Sequence, residues 1–494
     1  MRLVLFAALT LCAAPVAAQT PASALFDAEG WVADLRQTRE AMGAHYANLD
    51  WAVNEREAPL GQLFQMGEQR LRAAGSDAEA REVFERLEKY LGDGHVDFVW
   101  PSASSGGAAA VVASAAGPDP RPPCEVLGFR GDGRDGQAVA ARLPGYRALE
   151  GESGFPAGIV EVDGRKVGVV RIAQMSAYAH PQACAAAFAA FSRPADAPCD
   201  DDCLEGLRVM AVDRVTEDLT ARIRALRDAG AETLLVDLAG NGGGSEWTEV
   251  AVRLFSPIRL KSSRVGYPRH PHWVERLAAD EQGLAEAARG QSRADRARLD
   301  GYRAVFAQAR QEAAAPCDPT PWFTMGAKSD CAWLTTAPLY ATGVLAELDP
   351  SIIGKPWAAE VFTPLTYRFE PGVWTGPLMV LVDGGAASAA EEFAAVLQDN
   401  AAAVIVGSPT RGAGCGHARG EIETVLRHSG ARLRLPNCAR LRPGGSNEVG
   451  GVSPQVLVGF RENDGPRNRV ARLNAVLPLA VAAAEDQWKA RPAS

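Results

Sequence analysis

The residues that could do chemistry in this 494-residue chain begin with a serine between a predicted strand and a predicted helix. The apolar run Leu378–Val382 predicts a buried strand, and Ser388 follows it after a short glycine- and alanine-rich segment. The apolar spacing after the serine predicts a helix as far as Asp399. N–H groups at a helix N-terminus have no intrahelical acceptor. Ser388 could therefore be a nucleophile with the Ala389 N–H as an oxyanion donor, or simply a helix N-cap.

A glycine-rich loop after a second predicted strand offers further backbone donors. The strand Leu234–Leu238 leads into GNGGGS at 240–245. This loop lacks the GK[ST] ending of a phosphate-binding loop, and Ser245 stands where a dinucleotide-binding fingerprint has its third glycine. A loop that presents N–H groups beside the nucleophile fits better, and Gly242 and Gly243 are the candidate donors.

These two motifs, in this order, resemble the C-terminal-processing (tail-specific) and tricorn-type serine peptidases. Three further segments carry the resemblance: LQDN at 397–400 with VIVGSPTRG at 404–412, NEVGGVSPQ at 447–455, and DGH at 93–95. The resemblance implies an α/β fold with a crotonase-like mixed sheet, covering helices and a helical N-terminal domain. It also implies Ser388 as nucleophile, with an oxyanion hole formed by Ala389 and by Gly242 or Gly243. The segment from Cys124 to Gly158 is too short for a clear PDZ domain.

The identity of the base follows from a departure within the resemblance. One branch of the family pairs its serine with a lysine in a G-K-G turn, where this chain has Ala413, and no lysine occurs between Ser388 and Lys489. The resemblance therefore favours the tricorn-like branch, which implies His95 as general base and Glu448 as the residue that orients or polarises the site. Histidine suits the role because its pKa lies near 6.5. His417, beside the turn at 410–416, remains the alternative base.

Composition excludes several classes of function. The net charge of -9 argues against a nucleic-acid partner, which needs a basic face. After the N-terminal segment, no apolar run is long enough to span a membrane. No CxxC pair occurs and histidines are few, so neither a metal nor a cofactor is predicted.

The predicted function is hydrolysis of a peptide or protein substrate by an exported serine peptidase, through an acyl-enzyme on Ser388. Two alternatives stay open on the same fold. One is a non-catalytic protein that binds a ligand or peptide, and the other is an esterase or amidase that acts on a non-protein substrate.

The chain divides into four predicted regions. Residues 1–18 resemble a signal peptide, because Arg2 precedes the apolar run Leu3–Ala14 and small residues precede Gln19. We expect a helical N-terminal domain at 19–100 and a flexible linker at 101–123. An α/β catalytic domain should follow at 124–485, with a helical insertion at about 262–345. The predicted location is the periplasm or the extracellular space.

Cysteine usage agrees with export. Removal of the first 18 residues, which include Cys12, leaves eight of the nine cysteines, and an even number in an exported chain suggests disulfides. Short separations favour three local pairs, which leave a fourth: Cys317–Cys331, Cys415–Cys438, Cys199–Cys203 and Cys124–Cys184.

Overall fold

The computed structural model describes residues 26–101, 122–131, 138–191, 199–324, 331–461 and 463–491. The predicted signal peptide and most of the predicted linker lie outside these ranges. The helices are α1 (Ala28–His45), α2 (Leu49–Asn54), α3 (Leu60–Ala73), α4 (Asp77–Leu91), α5 (Pro123–Val126), α6 (Pro181–Ala190), α7 (Asp201–Asp228), α8 (Thr248–Leu254), α9 (Pro271–Ala287), α10 (Arg293–Ala314), α11 (Ala358–Val361), α12 (Ala389–Asp399) and α13 (Pro466–Lys489). The strands are β1 (Asp97–Val99), β2 (Arg147–Ala148), β3 (Ala157–Val162), β4 (Arg165–Arg171), β5 (Thr233–Asp237), β6 (Arg264–Gly266), β7 (Leu378–Val382), β8 (Val404–Gly407), β9 (Thr424–Val425), β10 (Arg432–Arg434), β11 (Ala439–Leu441) and β12 (Val456–Leu457).

A seven-stranded mixed sheet forms the centre of the α/β fold, with strand order β12-β8-β7-β5-β4-β3-β2. The five strands from β12 to β4 are parallel, whereas β3 and β2 are antiparallel additions at one edge. Every residue of β5 and β7 is buried, because α7, α8 and α12 cover one face and α13 packs on the other. The predicted mixed sheet and its covering helices are therefore confirmed. No helix in the described ranges is long and apolar enough to cross a membrane.

The parallel arrangement brings two strand ends to the same edge of the sheet. β5 and β7 are adjacent, with Asp237 paired to Leu381. The glycine-rich loop follows β5 and the Ser388 turn follows β7, so the two predicted motifs lie side by side. A backbone hydrogen bond of 3.0 Å from the Ala387 N–H to the Asn241 carbonyl joins them.

The N-terminal helices are present as predicted, and Gly92, with φ of 64°, ends α4. They do not have a core of their own. Trp31 and Phe84 share one apolar cluster with Trp333 and Leu433 from much later in the chain. β1 also pairs antiparallel with β10. This shared core holds the segment 93–95 against the turn at 410–416.

The predicted helical insertion contains α9 and α10, which pack against each other. The apolar cluster around them contains residues between Val265 and Phe362 and also Cys438. The segment joins the catalytic part through β6, which pairs antiparallel with β11. It thus forms one wall above the edge of the sheet where Ser388 lies.

All four predicted disulfides are confirmed: Cys124–Cys184, Cys199–Cys203, Cys317–Cys331 and Cys415–Cys438. The last of these links the turn after Gly414 to the residue that precedes strand β11. Both of these segments approach Ser388.

Replacement of both Cys415 and Cys438 with alanine should lower the free energy of unfolding by about 3 kcal/mol, because the lost bond closes a loop with a separation of 23 residues. Urea unfolding under non-reducing conditions would measure this loss. The matched control removes the Cys199–Cys203 bond, whose separation is only 4 residues, and should cost about 2 kcal/mol on the same entropic grounds. A smaller loss for the first pair than for the control would contradict the expectation.

Candidate active site

Ser388 has an unusual backbone conformation between β7 and α12. Its φ of 55° and ψ of -120° lie in a region that side-chain-bearing residues seldom adopt. Its N–H donates to Glu391 Oε2 at 2.7 Å, and its carbonyl accepts from the Glu392 N–H at 3.0 Å and from Arg440 Nη2 at 3.2 Å. Charged side chains of opposite sign thus fix both polar backbone groups. A strained strand–turn–helix of this kind exposes a nucleophilic hydroxyl.

Glu391 joins this turn to the turn at 410–413. The carboxylate is fully buried and accepts four hydrogen bonds. Oε1 accepts from Thr410 Oγ1 at 2.6 Å and from the Gly412 N–H at 2.7 Å, and Oε2 accepts from the Ala413 N–H at 2.9 Å as well as from Ser388. Glu391 was not among the residues predicted to belong to the site. The Ser-x-x-Glu spacing, which is the spacing of a capping box, was the available signal.

His95 lies against the same 412–413 turn. Its Nδ1 is 2.5 Å from the Ala413 carbonyl oxygen. A carbonyl can only accept, so Nδ1 carries the proton and Nε2 keeps a free lone pair. The Gly94 N–H donates to the Gly412 carbonyl at 3.0 Å and fixes the backbone beside it. His95 is therefore held in the tautomer that a general base requires.

The buried carboxylate of Asp93 supports the His95 backbone. Asp93 Oδ1 accepts from the His95 N–H at 3.0 Å, and Oδ2 accepts from Tyr46 OH at 3.0 Å and Asn48 Nδ2 at 2.8 Å. Desolvation lowers the pKa of His95, and the nearby Asp93 carboxylate opposes that shift. The helical region thus contributes a buried polar network as well as an apolar core.

His417, the alternative base, also reaches the site. Its ring centroid lies 5.7 Å from that of His95, and both histidines line the cavity that contains Ser388. Burial, together with the neighbouring His95, lowers the pKa of His417 to about 4. The fold therefore brings both candidate histidines into the cavity that contains Ser388.

The three predicted oxyanion donors differ in availability. The Gly243 N–H donates to Asn241 Oδ1 at 2.9 Å and is therefore occupied. Within the described part of the chain, the N–H groups of Gly242 and Ala389 make no hydrogen bond. Gly243 has φ of 97°, and a Cβ there would lie 2.7 Å from the Ser388 Cβ. Gly243 thus allows a close approach to Ser388, and Gly242 and Ala389 remain the candidate oxyanion donors.

Glu448 is fully buried and binds an arginine that the sequence analysis missed. Its Oε1 accepts from Arg440 Nε at 3.0 Å and Nη2 at 2.8 Å. Arg440 also donates to Glu392 Oε2 and to the Gly414 carbonyl, both at 2.8 Å.

Burial raises the pKa of Glu448, and Arg440 opposes the shift. Glu448 thus reaches Ser388 through Arg440; among the described contacts it makes no hydrogen bond with His95. No local motif marks Arg440.

A cavity of about 710 Å³ opens beside Ser388. The nucleophile turn, Gly244 of the glycine-rich loop, His95 and the 415–421 segment form one side, and the inserted segment forms the other. Within the described ranges, no group of three histidine, cysteine or acidic side chains is arranged to hold a metal ion.

Replacement of Glu391 with glutamine should lower kcat/KM by about 10- to 100-fold, because the amide N–H₂ would face N–H donors and charge-assisted hydrogen bonds would be lost. Steady-state kinetics on a cleavable peptide, together with a thermal melt, would measure this effect. Glu423→Gln, at an exposed position, is the matched control and should leave both kcat/KM and the melting temperature unchanged. A normal kcat/KM for Glu391→Gln would show that the 410–413 turn holds its position without this carboxylate.

Comparison with known proteins identifies the family of this chain. Residues 166–458, more than half of the chain, match the profile of Peptidase family S41. Over 85 residues the chain is 36% identical to a carboxy-terminal-processing protease of Bartonella bacilliformis, a stretch that spans 17% of this chain and 18% of that protein. Mature CPAF and mature CPAF complexed with lactacystin each align with 93% of this chain at 16% identity and a TM-score of 0.56, covering 98% and 99% of their own chains. At that identity the structural likeness shows a shared fold, and it is the profile match that decides the family. The chain belongs to Peptidase family S41.

Proposed function

We propose that this chain is an exported serine peptidase of the tricorn-like branch, with a crotonase-like core, in which Ser388 is the nucleophile and His95 the general base. One observation carries the proposal. The Nδ1–H of His95 is tied to the Ala413 carbonyl, which leaves Nε2 as a proton acceptor in the cavity that contains Ser388. A neutral, oriented imidazole beside a serine at a helix N-terminus is the arrangement that nucleophilic catalysis needs.

Acylation would proceed in two proton-balanced steps. Ser388 Oγ attacks the carbonyl carbon of the scissile peptide bond while His95 Nε2 takes the hydroxyl proton. The oxyanion that forms lies against the N–H groups of Ala389 and Gly242. The C–N bond then breaks, His95 returns the proton to the departing amine, and the acyl group remains on Ser388.

Deacylation reverses the roles. His95 Nε2 removes a proton from water, the resulting oxygen attacks the ester carbon, and the proton returns to Ser388 Oγ as the carboxylic acid leaves. Glu448 would act through Arg440, whose hydrogen bond to the Ser388 carbonyl holds the nucleophile turn while charge builds and disperses. Glu448 would therefore polarise the site indirectly, through Arg440.

The residue at position 413 supports the tricorn-like branch, because a Ser–Lys dyad would have its lysine there. Ala413 occupies that position, and a Cβ added at Gly94 would lie 2.9 Å from the Ala413 Cβ. The segment that carries His95 thus fills the space beside residue 413. Among the described residues that line the cavity there is no lysine.

Export is part of the proposal and agrees with the disulfides. Four disulfides connect all eight cysteines of the predicted mature chain, and such bonds persist in oxidising compartments. The peptidase would therefore act on peptides or proteins in the periplasm or outside the cell.

A fluorophosphonate probe, which reacts with activated serines, tests the proposal. We expect labelling at Ser388, identified by peptide mapping, and cleavage of members of a peptide library. Labelling and ester or amide turnover without cleavage of any peptide would favour an esterase or amidase. The absence of both labelling and turnover in a folded protein would favour a non-catalytic binding protein.

A further inference from the structure

The cavity beside Ser388 has a floor of buried charged side chains. Five residues contribute, each at most 6% exposed: Glu249, Arg253, Glu392, Arg440 and Glu448. Arg253 contacts Glu249 at 2.5 Å, and Arg440 contacts both Glu392 and Glu448 at 2.8 Å. Glu249, Glu392 and Arg440 line the cavity directly. Three carboxyl groups thus face two guanidinium groups, and the floor lacks one positive charge.

Unpartnered oxygen atoms locate the missing charge. Within the described part of the chain, three buried carboxylate oxygens of the floor have no N–H or O–H donor: Glu249 Oε1, Glu392 Oε1 and Glu448 Oε2. Of these three residues, only Glu249 and Glu392 line the cavity. A buried carboxylate without a partner is costly, so these oxygens require either a shared proton or a cation from outside. Burial and the neighbouring Glu249 carboxylate raise the pKa of Glu392 well above its ordinary value. A proton therefore fills the place when no ligand is present.

Arg440 is not available to bind an acidic ligand. Its three nitrogen atoms already donate to Glu448, Glu392 and the carbonyls of Ser388 and Gly414. The charge that the floor can still accommodate is therefore positive.

Acidic residues at the cavity rim add further negative charge to that of the floor. Glu246 and Glu360 line the cavity and are exposed, and neither forms an ion pair within the described ranges. The other two acidic residues of the cavity wall are each neutralised by an arginine. These pairs are Asp280 with Arg419 and Glu421 with Arg434.

The distance from the nucleophile to the floor suits a long side chain. Glu392 lies one helical turn after Ser388 on α12, about 6 Å along the helix axis. Val250, Val265 and Leu339 line the cavity and provide apolar surface. The methylene stem of lysine or arginine packs on such surface while its charged end reaches a polar partner.

We propose that this pocket binds the cationic side chain of a lysine or arginine residue in the substrate, with the Glu249–Glu392 pair as its acceptor. The residue bound would be the one whose carbonyl carbon Ser388 attacks. This specificity rests on the proposed peptidase function and names its substrate class. A bound cation would replace the proton between the two carboxyl groups and balance the three carboxylates of the floor.

The first test uses the wild-type enzyme and peptides that differ only at that residue, which is lysine, arginine, methionine, glutamine or glutamate. We expect kcat/KM for lysine and arginine to exceed that for methionine and glutamine by about 10- to 100-fold, the value of a charge-assisted hydrogen bond in a buried site. Glutamate should be the poorest. Equal or better cleavage after methionine overturns the specificity, whereas cleavage of none of the peptides overturns the peptidase function instead.

The second test locates the acceptor. Glu249→Gln should reduce the lysine-to-methionine ratio of kcat/KM to within about threefold of unity, since the charge that binds the cation is gone. Glu360→Gln, on the exposed rim, should reduce that ratio by less than about twofold, as expected for a solvated charge. If Glu360→Gln abolished the lysine-to-methionine ratio of kcat/KM and Glu249→Gln kept it, Glu249 would not be the acceptor of the cation.

Glu249 also binds Arg253, so its replacement could unfold the protein; a thermal melt would reveal this. Benzamidine, a small amidinium cation, then provides an independent measurement on the wild-type enzyme. It should inhibit competitively against the lysine peptide, while the uncharged benzamide should inhibit at least about tenfold more weakly. Equal inhibition by the two compounds would overturn the proposal.

Discussion

Replacement of Ser388 with alanine should lower kcat/KM for peptide hydrolysis by about 10⁴-fold or more, the loss typical when a catalytic serine is removed. The reason is chemical: alanine has no oxygen that can form the acyl-enzyme. The fold should persist, because alanine keeps the Cβ and therefore faces the same backbone strain at φ of 55°. At most a helix-cap interaction of about 1 kcal/mol is lost.

Steady-state kinetics on a peptide cleaved by the wild-type enzyme would measure this effect, with loss of fluorophosphonate labelling as a second readout. A thermal melt would confirm that the variant is folded. Ser446→Ala, at an exposed position far along the chain, is the matched control and should keep wild-type turnover. Retention of turnover by Ser388→Ala would mean that another residue is the nucleophile.

The second large effect concerns the base. His95→Ala should lower kcat/KM by about four orders of magnitude, because the serine hydroxyl is a weak nucleophile without a proton acceptor. His417→Ala should cost about tenfold or less, since in the proposal its ring packs beside His95 and takes no proton. Both variants should be compared at matched stability. An inactive His417→Ala together with an active His95→Ala would assign the base to the 415–421 segment.

The pH profile tests a histidine base without mutation. A histidine base works only when neutral, so kcat/KM falls as the pH drops below the pKa of the base in the free enzyme. Burial lowers the pKa of His95 below its ordinary value of 6.5, so the acid limb should have its midpoint below pH 6.5 and activity should be level above it. The pKa of His417 is lowered to about 4. Either histidine therefore predicts an acid limb below pH 6.5, and a midpoint at or above that value would contradict both.

An unperturbed imidazole would instead predict a rise in activity through roughly pH 6 to 7. The structure moves that limb to lower pH because it shows the ring of His95 half-buried between the helical region and the 412–416 turn. Desolvation is the dominant cause, and its size depends on neighbours that are distant in the sequence.

The sequence by itself determined the local elements and their order. Apolar runs such as Leu378–Val382 predicted strands because a buried parallel strand must be apolar on both faces. The turn after that run indicated a serine at a helix N-terminus, and short spacings between cysteines indicated the local disulfides. Motif order then indicated the family. Each of these features depends on residues close together in the chain, which a sequence pattern can represent.

The tertiary structure decided which polar atoms meet. The partner of His95 Nδ1 is a carbonyl 318 residues away, and no local pattern encodes such a contact. Likewise, Asn241 occupies the Gly243 N–H, so that a candidate donor is lost to a neighbouring side chain. Arg440 lies in no motif, yet it joins Glu448 to the nucleophile turn. Buried polar groups must be satisfied by whatever the packing brings near them, so these pairings, and the cation deficit beneath Ser388, are properties of the folded chain.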